Sequence, residues 1–415
     1  MSQDVKLPRE IWVLVAAAVC VSLGYGIVAP VLPLFAGSFG VKTYAATAVV
    51  SAFACMRLAF APASGWLSKI FGERHMYMTG MAVVASSSAL SGLSQNYVQL
   101  LIFRSIGGIG SVMFTVAAMS LIIKLAPSGA RGRASAAYGS GFLIGNILGP
   151  AIGAFLEPFG FRAPFFIYTV LLLIAGSIVG VLVPYDIDGH EPHHWGKHYK
   201  EKQVAPTERP TRESISVSEA LAIPRFRIAL VTAFAQGWTN MGVRVAIVPI
   251  FAAYLVKTSN APSMLPGLAL MVFAVGNGIA LAFAGRWSDV YGRKPVIVVG
   301  LILSGVFTVT MGVWATTFVV LIGSFLGGFG SGCIQPSQQG TVADIIGRRE
   351  GNRVVSFFQQ STDLGQILGP LLAGFLVDHS GFSLAYISSG AILLVAAVAW
   401  IVAVRGHWPR ISRRH

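Results

Sequence analysis

The string GFLIGNILGPAIGAFL at residues 141–156 returns as STDLGQILGPLLAGFL at residues 361–376, displaced by 220 positions. The same displacement pairs Gly65, Ser68 and Gly72 with Gly285, Ser288 and Gly292, and Arg133 with Arg353. A displacement of 216 pairs Pro33 and Phe35 with Pro249 and Phe251, so one small gap aligns nearly half the chain on the other half. A repeat this long is a duplicated domain rather than a solenoid unit. Whatever one half folds into, the other must fold into as well.

Composition says which solvent surrounds that fold. The 415 residues are 54% hydrophobic and 11% charged, with a mean hydropathy of +0.70. A soluble surface carries more charge than that. Apolar windows long enough to cross a bilayer as helix, about 20 residues, fall at 11–37, 44–67, 76–95, 98–123, 134–156 and 164–184. A second set falls at 228–256, 264–286, 295–314, 317–343, 354–377 and 383–404. The expectation is an all-α integral membrane protein with twelve transmembrane helices in two pseudo-symmetric six-helix bundles. Residues 1–184 form the first bundle, 185–227 a polar linker, 228–404 the second bundle and 405–415 a tail. The first window has no small-residue cleavage site, so it reads as a retained helix.

Basic residues orient the chain. Of the 30 Lys and Arg, 24 fall in the termini and the even-numbered connections, and only Lys42, Arg162 and Lys257 in the opposite loops. Positive residues accumulate in cytoplasmic loops, which predicts a multi-pass cell-membrane protein with both termini cytoplasmic. The same spread accounts for the net charge of +14 without nucleic acid. Cys20, Cys55 and Cys333 lie inside spans at unrelated spacings, which suits neither a disulfide framework nor zinc. His190, His193, His194 and His198 sit in the linker without an acidic or Cys partner at fixed spacing, so a solvated linker is favoured over a metal site. No cofactor and no metal are expected, and a monomer is.

Five segments resemble signature motifs of the major facilitator superfamily and of its twelve-span drug:proton antiporter family. GYGIVAPVLPLF at 24–35 is similar to the first-helix motif. The loop of Gly65, Lys69, Gly72, Glu73 and Arg74 is similar to the helix 2–3 motif, and Gly285, Asp289, Gly292 and Arg293 belong to its second copy. Arg104, Gly107, Gly108 and Gly110 resemble the fourth-helix motif, which implies a role for Arg104 in proton translocation. Gly145, Gly149, Pro150 and Gly153 resemble the fifth-helix motif of antiporters. Glycines four apart let helix backbones approach closely, and a close face against another helix of the repeat interface is expected. The resemblance implies that Asp289 latches the cytoplasmic side against the positive start of the fifth span, near Arg131 and Arg133. In the first copy Lys69 stands where that acid belongs, so the latch is weakened or Glu73 replaces it. The GGIGSV and GGFGSG strings follow no strand, which argues against a dinucleotide fingerprint.

Charge inside a span is a functional hypothesis by default. Arg57, Arg104, Arg244 and Asp363 are central, and their repeat partners are Asn277, Ser324, Val28 and Leu143. All four break the symmetry. Burial favours a protonated carboxyl and a neighbouring cation an ionised one. A carboxyl alternating between those settings carries a proton, which makes Asp363 the candidate coupling residue, with Arg104; a structural ion pair with an arginine is the competing reading. Gln236, Asn240 and Arg244, spaced by four, make one polar stripe; Gln335, Gln338 and Gln339 make another, and Gln359 and Gln360 flank Asp363. These stripes either join helices by hydrogen bonds or face a water-filled substrate cavity with Tyr25, Arg57, Asn146 and Trp238. The cavity reading is preferred.

Two six-helix units of one orientation rock about a midplane site between them. The expected function is a proton-coupled secondary transporter, an antiporter exporting drug-like or amphiphilic small molecules. Three buried arginines against one aspartate keep a second reading open: exporter or flippase of an endogenous anionic lipid, glycolipid or metabolite. Neither paired carboxylates at a cavity nor a nucleophile motif speaks for an enzyme. The expected partners are a small-molecule or lipid-like substrate, protons and the lipid bilayer.

Overall fold

The computed structural model describes residues 7–127, 130–156, 159–183, 215–259, 261–347, 349 and 351–403. Helix dominates it because no other open backbone arrangement satisfies its own hydrogen bonds in lipid. The first half runs α1 (Arg9–Val28), α2 (Leu32–Gly37), α3 (Thr43–Phe71), α4 (Glu73–Leu93), α5 (Tyr97–Leu125), α6 (Arg131–Phe155) and α7 (Ala163–Leu182). The second half runs α8 (Val217–Ala222), α9 (Pro224–Gly237), a π-helical stretch (Trp238–Ile247), α10 (Val248–Ser259), α11 (Leu265–Tyr291), α12 (Arg293–Val313), α13 (Thr317–Ile346) and α14 (Asn352–Ala403). Among the described residues nine helices are long and apolar enough to cross a membrane. Gly381, at φ 79° and ψ 176°, breaks the last into two spans. With α4 and α6, that gives the twelve expected spans.

Two expected spans are not simple helices. Window 11–37 breaks after Val28, where a turn with the Val31 N–H donating to the Val28 carbonyl carries Pro30 before α2 resumes. Its repeat partner, 228–256, widens into the π-helical stretch ahead of Pro249. Proline has no N–H for the helix ladder, and the repeat-paired Pro33 and Pro249 each follow one of the two distortions. The expected linker also ends early: Val217–Ala222 is helical, capped by the Ser216 side chain accepting from the Glu219 N–H, and α9 starts at Pro224 rather than 228. Residues 185–214, including the four linker histidines, and the tail 405–415 lie outside the described residues.

Within each half the same devices recur. The α3–α4 and α11–α12 reversals turn on Gly72 (φ 79°, ψ 154°) and Gly292 (φ 88°, ψ 158°). That region is open to essentially glycine alone, so the paired glycines of the helix 2–3 motif set a one-residue reversal. Gly145, Gly149 and Gly153 pack on α1, not across the halves as expected. A Cβ at Gly149 would stand 2.6 Å from the Leu23 carbonyl, and one at Gly153 2.7 Å from that of Ile27. Gly369 meets Trp238 and Gly242 the same way in the second half.

The halves meet most firmly at the end away from the α3–α4 and α11–α12 turns, which we call the sealed end. There one buried apolar cluster runs from α1, α3 and α7 of the first half into Val248, Phe251, Leu255 and Leu265 of the second. Two seams carry it. On α6–α11, Gly267 faces Ala154 and the Pro150 carbonyl. On α3–α14, Ser51 donates to the Ile367 carbonyl at 2.7 Å, and Gly374 faces Thr47 and Tyr44. The seam ends where the Asp378 carboxylate accepts from the Thr43 and Tyr44 backbone N–H groups at 2.9 and 2.8 Å. A carboxylate at a helix start meets both free N–H groups and the positive end of the dipole. Here that carboxylate comes from the other half.

Candidate functional site

Between the halves lies a cavity of about 340 Å³. The α1 break and the π-helical stretch form two of its walls, because distorted helices turn polar side chains and backbone towards a shared interior. Of the residues expected there, Tyr25, Asn146, Gln236, Asn240, Arg244, Gln335, Gln338, Gln339 and Gln359 line it. Gln339, Phe358 and Gln359 carry it towards the end with the α3–α4 and α11–α12 turns. Pro150 lines it as well, beside its contact with Gly267.

A second cavity of about 300 Å³ shares Tyr25, Asn146, Met241, Arg244 and Gln366 with the first, so the two adjoin. It adds Arg57, Arg104, Tyr168, Ser111 and Thr115. No Asp or Glu lines either cavity. Arg104 is 1% exposed, its Nε and Nη1 without a hydrogen-bond partner, and its guanidinium stands 5.0 Å from the Phe53 ring centroid. Arg244 stands 4.2 Å from the Phe273 centroid.

The polar stripes do both jobs weighed for them. Asn240 donates to the Gln236 Oε1 at 2.8 Å, and Ser331 of α13 donates to the same atom at 3.1 Å. These bonds join helices while the side chains still line the cavity. The Nε2 groups of Gln236 and Gln338 remain without a partner. Trp238 is not among the lining residues. Its Nε1 donates to Ser389 at 2.9 Å, since residues two apart on a helix point to nearly opposite sides and the Gln236–Asn240 face is taken. Gln360 is exposed and lines neither cavity, one step round the helix from Gln359.

Asp363 lies on the α3–α14 seam and lines neither cavity. It accepts from the Gln359 Nε2 at 3.2 Å, and the Arg57 charge acts on it from across the halves without a direct ion pair. At the end carrying the helix 2–3 motifs, Asp289 accepts from Arg293 in its own half at 2.8 Å, and is 70% exposed. Arg293 also reaches Ser288 at 2.9 Å and Asp344 at 3.4 Å. Glu73 pairs with Lys124, and Arg74 donates to the Gly180 carbonyl, both within the first half. Gly65 and Gly285 have open space where a Cβ would stand, so packing does not demand glycine there in this state. The side chains of Lys69 and Arg131 are outside the described residues.

Sequence reasoning missed Tyr168, Asn277, Ser331 and Thr362 in the walls and the two phenylalanine plates. Asn277 and the plates carried a signal: Asn277 is the repeat partner of Arg57, and Phe53 and Phe273 are partners of each other. Tyr168 carried none beyond being a hydroxyl in an apolar span.

The sequence matches the family description of the Major Facilitator Superfamily over residues 14–246 and 233–414. The chain belongs to that superfamily. It is a membrane transporter and not an enzyme. Multidrug resistance protein 2 of Bacillus subtilis is 25% identical over 388 residues, 91% of each chain. Multidrug resistance protein MdtG of Escherichia coli is 25% identical over 401 residues, 94% of this chain and 93% of its own. Among solved structures, a bacterial homologue of the human lysosomal transporter Spinster, inward-facing and unoccupied, superposes with a TM-score of 0.72 at 15% identity. That superposition covers 96% of this chain and 97% of the other. The nucleoside transporter NupG gives 0.74 at 13%, covering 96% and 100%. The motif resemblance and the twelve-helix fold are thereby both upheld.

Proposed function

We propose that this superfamily member is a proton-coupled antiporter that exports drug-like or amphiphilic small molecules by alternating access. The observation that carries the reading is the cavity walled by both halves at the paired helix distortions, with one end of the molecule sealed. Rocking the halves exchanges which end is sealed. Its wall combines amides, aromatic rings and apolar side chains, a mixture suited to amphiphiles. The names of the two multidrug resistance relatives agree with export of such compounds.

Asp363 is the proton carrier in this reading. Its carboxyl sits on the seam that moves, beside the Arg57 charge of the other half, so rocking changes its electrostatic setting. Arg104 holds a fixed positive charge in the wall of the second cavity. The basic-residue bias places both termini and the helix 2–3 motifs on the cytoplasmic side, which makes the present state inward-facing in a bacterial cell membrane. The protein works as a monomer.

Proteoliposomes holding a pH gradient, challenged with matched anionic, neutral and cationic amphiphiles, test this reading. Substrate-evoked proton flux is expected in the wild type and is lost in Asp363→Asn. Full proton-coupled flux in that variant would remove Asp363 from the mechanism, and flux that never follows substrate would remove antiport. The second reading, export of an endogenous anionic lipid or metabolite, is favoured by one observation: Arg57, Arg104 and Arg244 line the second cavity, and no carboxylate does.

A further inference from the structure

Arg104 and Arg244 face a cavity that offers them no acid. Each guanidinium lies over a phenylalanine, and Phe53 and Phe273 are 220 residues apart, so the duplicated scaffold presents the same aromatic plate twice. The plates are matched closely. Gly108 packs against the Phe53 carbonyl, and Gly328 against that of Phe273. The arginines come from helices that are not equivalent, α5 and the π-helical stretch, one in each half. Tyr25 lines the same cavity as both arginines.

A ring held against the face of a guanidinium leaves the N–H edge free for an in-plane acceptor. On Arg104 that edge includes two nitrogens, buried and unpartnered. A buried cation without an opposing charge is unfavourable unless something supplies one. Asp363 does not, since it lines neither cavity and its cationic neighbour is Arg57.

We infer that Arg104 and Arg244 form a two-sided clamp for the anionic headgroup of an amphiphile, a carboxylate, sulfonate or phosphate, whose apolar body lies against Val50, Phe114 and Phe142 in the same cavity. This rests on the transport reading and narrows its substrate class to organic anions. One cation from each half means that an occupied clamp bridges the halves at mid-depth, and both register the ligand. The headgroup and the proton use different groups.

The test is equilibrium binding to the full-length protein in nanodiscs, with empty nanodiscs subtracted. The probes are anilinonaphthalene sulfonate and its uncharged parent N-phenylnaphthylamine, which share a ring scaffold and differ by the acid group. The sulfonate is expected to bind about tenfold or more tighter, the range of one charge-assisted hydrogen bond or better. In Arg104→Gln/Arg244→Gln that preference falls to near unity while the neutral probe still binds, which also reports folding. Equal affinities in the wild type, or a preference kept in the double variant, would overturn the clamp. Should the double variant lose both probes, Arg104→Lys/Arg244→Lys decides: the charge-retaining pair keeps the preference if the clamp exists and loses it if arginine served only packing. Replacing gluconate by chloride at fixed ionic strength separates sources of the anion, because displacement of the sulfonate by chloride would make the site one for a small inorganic ion. No pH gradient enters these measurements. Absent proton flux with the charge preference intact therefore defeats the antiport reading alone.

Discussion

The two ends of this transporter use aspartate in opposite ways. At the sealed end Asp378, on the second half, accepts from the first two N–H groups of α3 on the first half. At the other end Asp289, also on the second half, accepts from Arg293 of its own half. Both carboxylates stand at a span end with helix starts and cations nearby. What differs is the partner: backbone N–H groups of the other half at Asp378, and a side chain of its own half at Asp289. At the sealed end an apolar core and a cleft of about 570 Å³ lie between the halves, and small residues at the crossing points, Gly267 and Gly374, bring the backbones together.

Removing the bridge should have the largest effect. Asp378→Asn weakens two charge-assisted bonds, each worth about 1.5–3 kcal/mol, and shifts the population open at that end by about tenfold or more. Alkylation of a cysteine placed at Ala46, which is buried between the halves at the sealed end, by a membrane-impermeant thiol reagent reads this in a background lacking Cys20, Cys55 and Cys333. Unchanged alkylation would mean that the apolar core alone seals the end. Gly374→Leu tests the core instead. Its Cβ would stand 2.8 Å from the Tyr44 Cα, so the bulk should pry α3 from α14 and raise alkylation, though by less than loss of the bridge where the long side chain escapes sideways.

Asp289→Asn should matter less in this state. The pair it breaks is exposed and lies within one half, a class worth about 0–1 kcal/mol, so alkylation at the Ala46 position should change by less than about fivefold. A change matching that of Asp378→Asn would erase the distinction between bridge and brace. Trp238→Phe is the smallest. It removes one bond to Ser389, about 1 kcal/mol of stability, and should leave affinity for amphiphiles unchanged in the nanodisc assay. Weakened binding would return Trp238 to the cavity wall.

How far the sequence can be read follows from the same contrast. The Gln236, Asn240 and Arg244 stripe was legible because a spacing of four keeps one face of a helix. Trp238, two residues away, was grouped with it by composition and falls on another side. The close-approach glycines Gly145, Gly149 and Gly153 were legible as a packing face, but their partner was not. Spacing says that a backbone comes close, and not that it belongs to α1 rather than to the other half. Arg104 was legible from its motif, whereas the phenylalanine beneath it needed the crossing of α3 and α5.

By itself the sequence determined the solvent, the span count, the duplication and the glycine reversals at Gly72 and Gly292, because each depends on local composition or on one residue's backbone freedom. Only the tertiary structure decided which end is sealed, which aspartate bridges the halves and which cations share a cavity. Those are distances between helices remote in sequence. They are set by packing across the whole molecule, which no local pattern of residues encodes.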